Sequence, residues 1–397
     1  MMKPNVWKEM CLAILLCAAA AISSHAQTFT TLISFNGTNG DAPMSSLIQG
    51  IDGNLYGTTT EADSKGWGTV FKIAVDNHLT SVSFCPEPPG CVGGRNPVSR
   101  LLQATDGNFY GTTTAGGIGG VSDCSGIGCG TVFRLSATGT LTTLYNFCSQ
   151  ANCADGSQPT AGLIQATDGN LYGTTSLGGL GFGTVFKITR MGTLTTLYSF
   201  DATHGANPYS ELTQAANGDL YGTTAVGTSS GTVFRITREG RITTVYRFCL
   251  HQKAQCPDGK YPYGAVVEGS DGYFYGTTLL GGANNFGTVF KVNPQGTLTT
   301  LYSFDGSDGE PGSTLAEGSD GNFYGTTYNA LIFEISPGGA LIKLHTFDGT
   351  NPGPRGGLLQ ATNGKFYGQP WVAEQVEIAA REVAVPFTVS MLGSGLS

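Results

Sequence analysis

The segment IQATDGNLYGTT (164–175) returns as LQATDGNFYGTT (102–113), TQAANGDLYGTT (213–224) and VEGSDGYFYGTT (267–278). An internal repeat narrows the available folds sharply, because each copy is one supersecondary unit that must stack on its neighbours. The aligned copies share a frame. A proline stands four places before an aliphatic residue: Pro43/Leu47, Pro97/Leu101, Pro159/Leu163, Pro208/Leu212, Pro262/Val266, Pro311/Leu315 and Pro354/Leu358. Five places after the aliphatic comes Asp52, Asp106, Asp168, Asn217, Asp271, Asp320 or Asn363, always followed by glycine. Nine places after the aliphatic comes Tyr56, Tyr110, Tyr172, Tyr221, Tyr275, Tyr324 or Tyr367, again followed by glycine. The frame occurs seven times, at spacings of 43–62 residues.

Two further segments complete the unit. GTVF begins at 68, 130, 183, 231 and 287, with ALIFEI (330–335) as a looser sixth, and each is followed by a run such as LTTLYSF (194–200, 298–304). Each copy therefore reads as four short strands, A (GLIQA), B (LYGTT), C (GTVFKI) and D (LTTLYSF). Asp-Gly between A and B is a hairpin signal, since a type I′ turn needs positive φ at both central residues. Such a sheet is apolar on both faces and cannot bury its own core. Four strands per unit and this period predict an all-β chain, a seven-bladed β-propeller of four-stranded blades. An orphan D strand, FTTLISF (29–35), precedes the first copy, and the seventh copy has only a weaker C candidate, WVAEQVEI (371–378). This predicts a ring closed by the N-terminal strand completing the last blade, which removes exposed edges. The expected organisation is a signal peptide at 1–26, the propeller at 27–380 and a C-terminal tail at 381–397.

Composition agrees. The 397 residues include 60 glycines, with 12 % charged and 40 % hydrophobic side chains, as short strands and many turns require. A net charge of −8 without a basic cluster argues against nucleic acid as a partner. Lys3 and Lys8, the apolar run CLAILLCAAAAI (11–22) and the small residues SHA (24–26) read as a secretory leader cleaved near Ala26. No later apolar run reaches the roughly 18 residues of a membrane-spanning helix. The expected location is secreted, periplasmic or cell-surface, as a monomer. The eight cysteines beyond the leader fall in four close pairs, Cys85/Cys91, Cys124/Cys129, Cys148/Cys153 and Cys249/Cys256, read as local disulfides. None has CxxC spacing and no His pair accompanies them, so no metal and no cofactor are expected.

The unit DGNxYGTT…GTVFKIT…GTLTTLYSF resembles the GloVer tandem repeat of exported bacterial proteins, described with a choice of C-terminal anchors. The resemblance covers nearly the whole chain beyond the leader and implies a secreted or surface protein without implying a reaction. No anchor is evident in the closing TVSMLGSGLS. The A/B half is more distantly similar to NHL and gluconolactonase-like propellers.

In a four-stranded blade the A–B and C–D turns share one face of the disc, and the B–C and D–A connections share the other. Here the second set varies in length and carries all eight cysteines, and loops held by a rigid scaffold are where function gathers. Trp67, Phe182, Tyr209, Tyr261, Tyr263 and Phe286 lie in these connections and offer flat apolar faces for stacking on a ligand such as a sugar. His204 and His251, with Asp201, Glu211 and Asp258, are weaker candidates for hydrolytic or lyase chemistry. The turn Asp/Asn residues lack a DxDxDG calcium loop and are explained as turn formers. Gln49, Gln103, Gln165, Gln214, Glu268, Glu317 and Gln360 recur at one strand-A position, either lining the channel or satisfying backbone groups. The reading that follows is a non-catalytic binding or interaction module for an extracellular ligand, carbohydrate or protein. A propeller enzyme at the channel mouth (metal-dependent lactonase, hydrolase or lyase) and a structural envelope component are the alternatives.

Overall fold

The computed structural model describes residues 28–35, 37–62, 67–84, 93–118, 124, 126–250, 256–328, 331–347, 356–369 and 377–380. Cys85, Cys91, His251, the leader and the tail lie outside them. The described residues form a propeller of four-stranded antiparallel sheets, each in the order A-B-C-D. Blade three is representative, with strands Ile164–Gln165, Leu171–Thr175, Thr184–Ile188 and Leu194–Ser199.

Six copies form complete four-stranded blades, one fewer than the seven expected. The described residues of the seventh copy form a two-stranded hairpin, Leu359–Gln360 with Phe366–Tyr367. Its sequence departs from the pattern there: where other copies read YGTT, the seventh reads Tyr-Gly-Gln-Pro (367–370), ending on a residue type with no N–H to give a ladder, and residues 370–376 lie outside those described. The N-terminal strand Thr28–Thr31 pairs antiparallel with Glu377–Ala380, as a two-stranded sheet of its own. Phe35 nevertheless acts as a strand-D phenylalanine for blade one, meeting Phe71 edge-on at 5.0 Å, as Phe200 meets Phe234 at 5.3 Å.

The core lies between blades. In strand B the period of two sends Leu to one neighbouring blade and Tyr to the other. Thus Ala166, Tyr172, Val185 and Phe200 of blade three pack against Leu212, Leu220, Phe234 and Ile236 of blade four. The glycine after each tyrosine is set by space: a Cβ on Gly173 would sit 2.7 Å from both Leu163 Cδ2 and Phe186 Cζ. Where the turn residue is aspartate, the buried tyrosine keeps a partner for its hydroxyl. Tyr172 donates to Asp168 Oδ2 at 2.8 Å and Tyr275 to Asp271 at 2.7 Å, so the turn aspartate both shapes the hairpin and caps the ring beneath it.

The two threonines of YGTT have separate duties. The second pairs with the threonine of GTVF across strands B and C, as in Thr113–Thr131 and Thr175–Thr184, both 2.8 Å. The first reaches the next blade: Thr112 donates to the Ala161 carbonyl at 2.8 Å and Thr223 to that of Gly264 at 3.0 Å. The strand-A glutamine also joins blades rather than facing the channel alone. Gln165 accepts the Thr105 N–H at 2.9 Å and Gln214 that of Thr167 at 2.9 Å, and the pattern runs through to Gln360 with Ser319 at 2.8 Å.

Candidate functional site

Residues that follow the prolines lead into strand A and line the channel mouth at the face carrying the D–A and B–C connections. At this mouth lies a cavity of about 140 Å³, to which all seven copies contribute. Most of its lining is small, among it Ser46, Gly162, Thr314 and Gly357. Ser99 and Ser210 turn away from the lumen to bond Thr112 and Thr223 of their own blades at 2.9 and 2.8 Å. The wall is thereby fixed by hydroxyl pairs and does not depend on the contents of the channel.

Two features break this plain lining. Arg100 of the second copy reaches Glu211 of the fourth, with Nε at 3.2 Å and Nη2 at 3.0 Å from the same carboxylate oxygen. The third copy, lying between them, has glycine at the equivalent position. A Cβ on Gly162 would stand 2.9 Å from Glu211 Oε2 and 3.1 Å from the Arg100 carbonyl, so the ion pair passes through the space a side chain would fill. Beside it, Tyr209 and Tyr263 place their rings 5.3 Å apart at 39°. Burial pushes the Tyr263 phenol above its usual pKa, and the Tyr209 and Tyr261 phenols add to the shift. The hydroxyl of Thr160, also on the lining, is buried without a partner among the described residues.

Of the six aromatic residues singled out by sequence, these two alone meet here. Trp67, Phe182 and Phe286 share one register position, immediately before GTVF, and none of them lines the mouth. Arg95 lies over the Trp67 ring at 5.2 Å, and the Phe286 ring covers Gly306. Tyr261 precedes Pro262 in a left-handed conformation, φ 60°, with its N–H on the Ser230 carbonyl at 2.8 Å. Arg100 and Gly162 were not visible as site residues in the sequence, and Glu211 was only one of several scattered acids.

The histidine candidate has another explanation. Asp155 and Asp258 each accept the hydroxyl of a strand-D tyrosine, Tyr145 at 2.8 Å and Tyr246 at 3.0 Å. His204 occupies the same place before a glycine and bonds Tyr198 at 3.0 Å, with Asp201 Oδ1 at 3.2 Å. It latches a loop. Burial opposes ionisation of Asp201, yet the Thr203 hydroxyl and His204 hold its pKa at about 2. Three of the four expected disulfides are described and formed, Cys124–Cys129, Cys148–Cys153 and Cys249–Cys256, all in connections of this face.

The repeat frame also decides the family. The Gloeobacter/Verrucomicrobia repeat matches residues 20–150, 93–257 and 250–373. The chain belongs to that repeat family. No curated protein matches this family member in sequence. In structure it is similar to the extracellular domains of two hybrid two-component systems from B. thetaiotaomicron. One superposes with a TM-score of 0.60 at 11 % identity over 89 % of this chain, the other with 0.59 at 12 % over 85 %. The chain spans 40 % of the length of each, and identities this low show the fold alone. A gluconolactonase from Xanthomonas campestris matches at a TM-score of 0.46 and 11 % identity, over 92 % of this chain and 93 % of that one. Among the described residues, no helix is long and apolar enough to cross a membrane.

Proposed function

We infer that this repeat protein is a non-catalytic binding module whose ligand enters the channel mouth and is a small polyhydroxylated molecule, such as the terminal unit of a saccharide. The observation that carries this reading is the Arg100–Glu211 pair spanning Gly162 beside the Tyr209–Tyr263 rings. An arginine–carboxylate pair presents donors and an acceptor side by side at zero net charge, matching vicinal hydroxyls that accept from one and donate to the other. The tyrosine rings add an apolar face for the carbon skeleton, and the Thr160 hydroxyl is a further group awaiting a partner.

A divalent cation fits this mouth poorly. Glu211 is the one carboxylate among the described lining residues, and one of its oxygens already serves two arginine nitrogens. The disulfides on the same face support an exported protein acting on an extracellular ligand, because such bonds persist in oxidising compartments. The test is a glycan array followed by titration calorimetry on the best ligand. Arg100→Ala and Tyr263→Ala should each weaken binding at least tenfold without changing the fold. Unchanged affinity in both variants places the ligand elsewhere and ends this reading.

A further inference from the structure

Outside the channel, two disulfides abut. Cys124–Cys129 lies in the B–C connection of blade two and Cys148–Cys153 in the D–A connection that follows the same blade. The sulfurs of Cys124, Cys129 and Cys148 all lie within 4.8 Å of one another, and Cys153 is bonded to Cys148. All four residues are buried. Cys249–Cys256, by contrast, has no second described disulfide beside it.

We propose that in the reduced chain these four cysteines form a tetrathiolate site for a soft divalent cation of the zinc type. Each pair is spaced C-x4-C, within the range used by zinc-binding loops. Zinc–sulfur bonds of about 2.3 Å set tetrahedral sulfurs about 3.8 Å apart, so on reduction each bonded pair opens to that spacing, while the sulfur of Cys148 already lies within 4.8 Å of those of Cys124 and Cys129. Two loops supply two ligands each, and closed four-coordination by sulfur is the arrangement of structural zinc sites. A tetrathiolate carries net negative charge, which needs compensation when buried. Arg95 is placed to provide it: its Nη2 donates to the Ile127 carbonyl at 3.0 Å, inside the Cys124–Cys129 loop, and its Nε–H is buried without a partner among the described residues.

The chemistry balances simply. A thiol reductant converts the two disulfides to four cysteine thiols and is itself oxidised to two disulfides. The four thiols then lose four protons as they bind one cation. The two states exclude each other, since the same sulfur cannot hold both a sulfur partner and the metal. The junction after blade two is thus stapled by disulfides under oxidising conditions and by a metal under reducing ones. Metal binding of this kind is coupled to folding, because the unfolded chain has no preformed site.

The experiment reduces the full chain with excess dithiol, without denaturant and without air, then adds Co2+ as a coloured substitute for Zn2+. One Co2+ per chain should bind, with the intense visible bands of tetrahedral thiolate coordination, and one equivalent of Zn2+ should abolish them. The bands should persist in Cys249→Ser/Cys256→Ser and vanish in Cys124→Ser/Cys129→Ser. Bands absent from the reduced wild type, or surviving in Cys124→Ser/Cys129→Ser, overturn the proposal. If reduction alone unfolds the chain, one equivalent of Zn2+ should restore its β circular dichroism, and failure to do so overturns it equally.

Discussion

The Oε1 of Gln49, in the first copy, accepts the backbone N–H of Thr362, in the seventh, at 2.8 Å. The two residues are 313 apart in sequence, yet the bond has the length and the partners of its counterparts between consecutive blades. It closes the ring. Between consecutive blades the chain itself also crosses the junction, so loss of one side-chain bond leaves a covalent tether.

The closing junction joins copies from opposite ends of the chain, where the ladder between Thr28–Thr31 and Glu377–Ala380 stands in for a covalent link and can part. Gln49→Ala should therefore cost about 1 kcal/mol, and more than Gln165→Ala at an internal junction. Urea unfolding of the two variants measures the difference. Equal losses would mean that the closing junction has no special dependence on its glutamine.

Stability should fall at both extremes of pH, for reasons that can be assigned. Burial opposes ionisation of Asp52, but bonds from Asn54, Tyr56 and Lys72 hold it at about 2. A carboxyl depressed below its unfolded value near 3.9 contributes stability above that value and loses it as pH falls towards 2. Asp201 behaves likewise. At the other extreme, burial first and the Asp106 bond second push Tyr110 up to about 12. Its contribution is complete below about pH 10 and disappears as pH rises through 12. Asp52→Asn should flatten the acid limb alone, and a thermal melt at each pH checks it.

Blade one departs from its sisters in strand D. Blades two to six carry a bulge opposite strand C, between Val185 and Phe186 in blade three, whereas blade one pairs without one. The missing residue is the equivalent of Leu197, whose carbonyl lies 2.5 Å from a Cβ built on Gly240 in the next blade's C–D turn. At the first junction the corresponding Gly139 has nothing within 4 Å of that point, and a cavity of about 210 Å³ opens between blades one and two. Inserting leucine between Ser81 and Val82 should restore the bulge and fill part of the gap, stabilising the protein by about 1 kcal/mol. A higher urea midpoint supports this; a lower one shows that the C–D turn of blade two cannot move in to meet the insertion.

The blades were legible because every one obeys the same local rule. The Asp-Gly turn, the Leu/Tyr alternation and the glycine under Phe186 each follow from near neighbours in sequence. The shortfall of the seventh copy was legible in part, since its sequence departs from YGTT and offers only a weak strand C. The channel mouth was not legible. Arg100, Gly162 and Glu211 occupy the same place in three copies, third after the proline, and a repeat alignment treats such positions as variable filler. Their meaning lies in a contact across 111 residues, which no single copy encodes. His204 misled for the opposite reason, because a functional residue type occupies a structural place that aspartate holds elsewhere.

That contact makes Gly162 the sharpest test of the channel reading. Its φ is not positive, so alanine meets no backbone strain there, and any effect comes from the added methyl group. The methyl would press on Glu211 Oε2 at 2.9 Å and on the Arg100 carbonyl at 3.1 Å. Glu211 can swing away because a carboxylate is the free end of a flexible side chain, so the fold should survive with at most about 1 kcal/mol lost. The ion pair cannot keep its place. Gly162→Ala should therefore leave the melting temperature nearly unchanged while reducing ligand affinity to the level of Arg100→Ala. A variant that binds as the wild type does would show that the pair only plugs the channel, whereas a collapse in melting temperature would make Gly162 a packing residue.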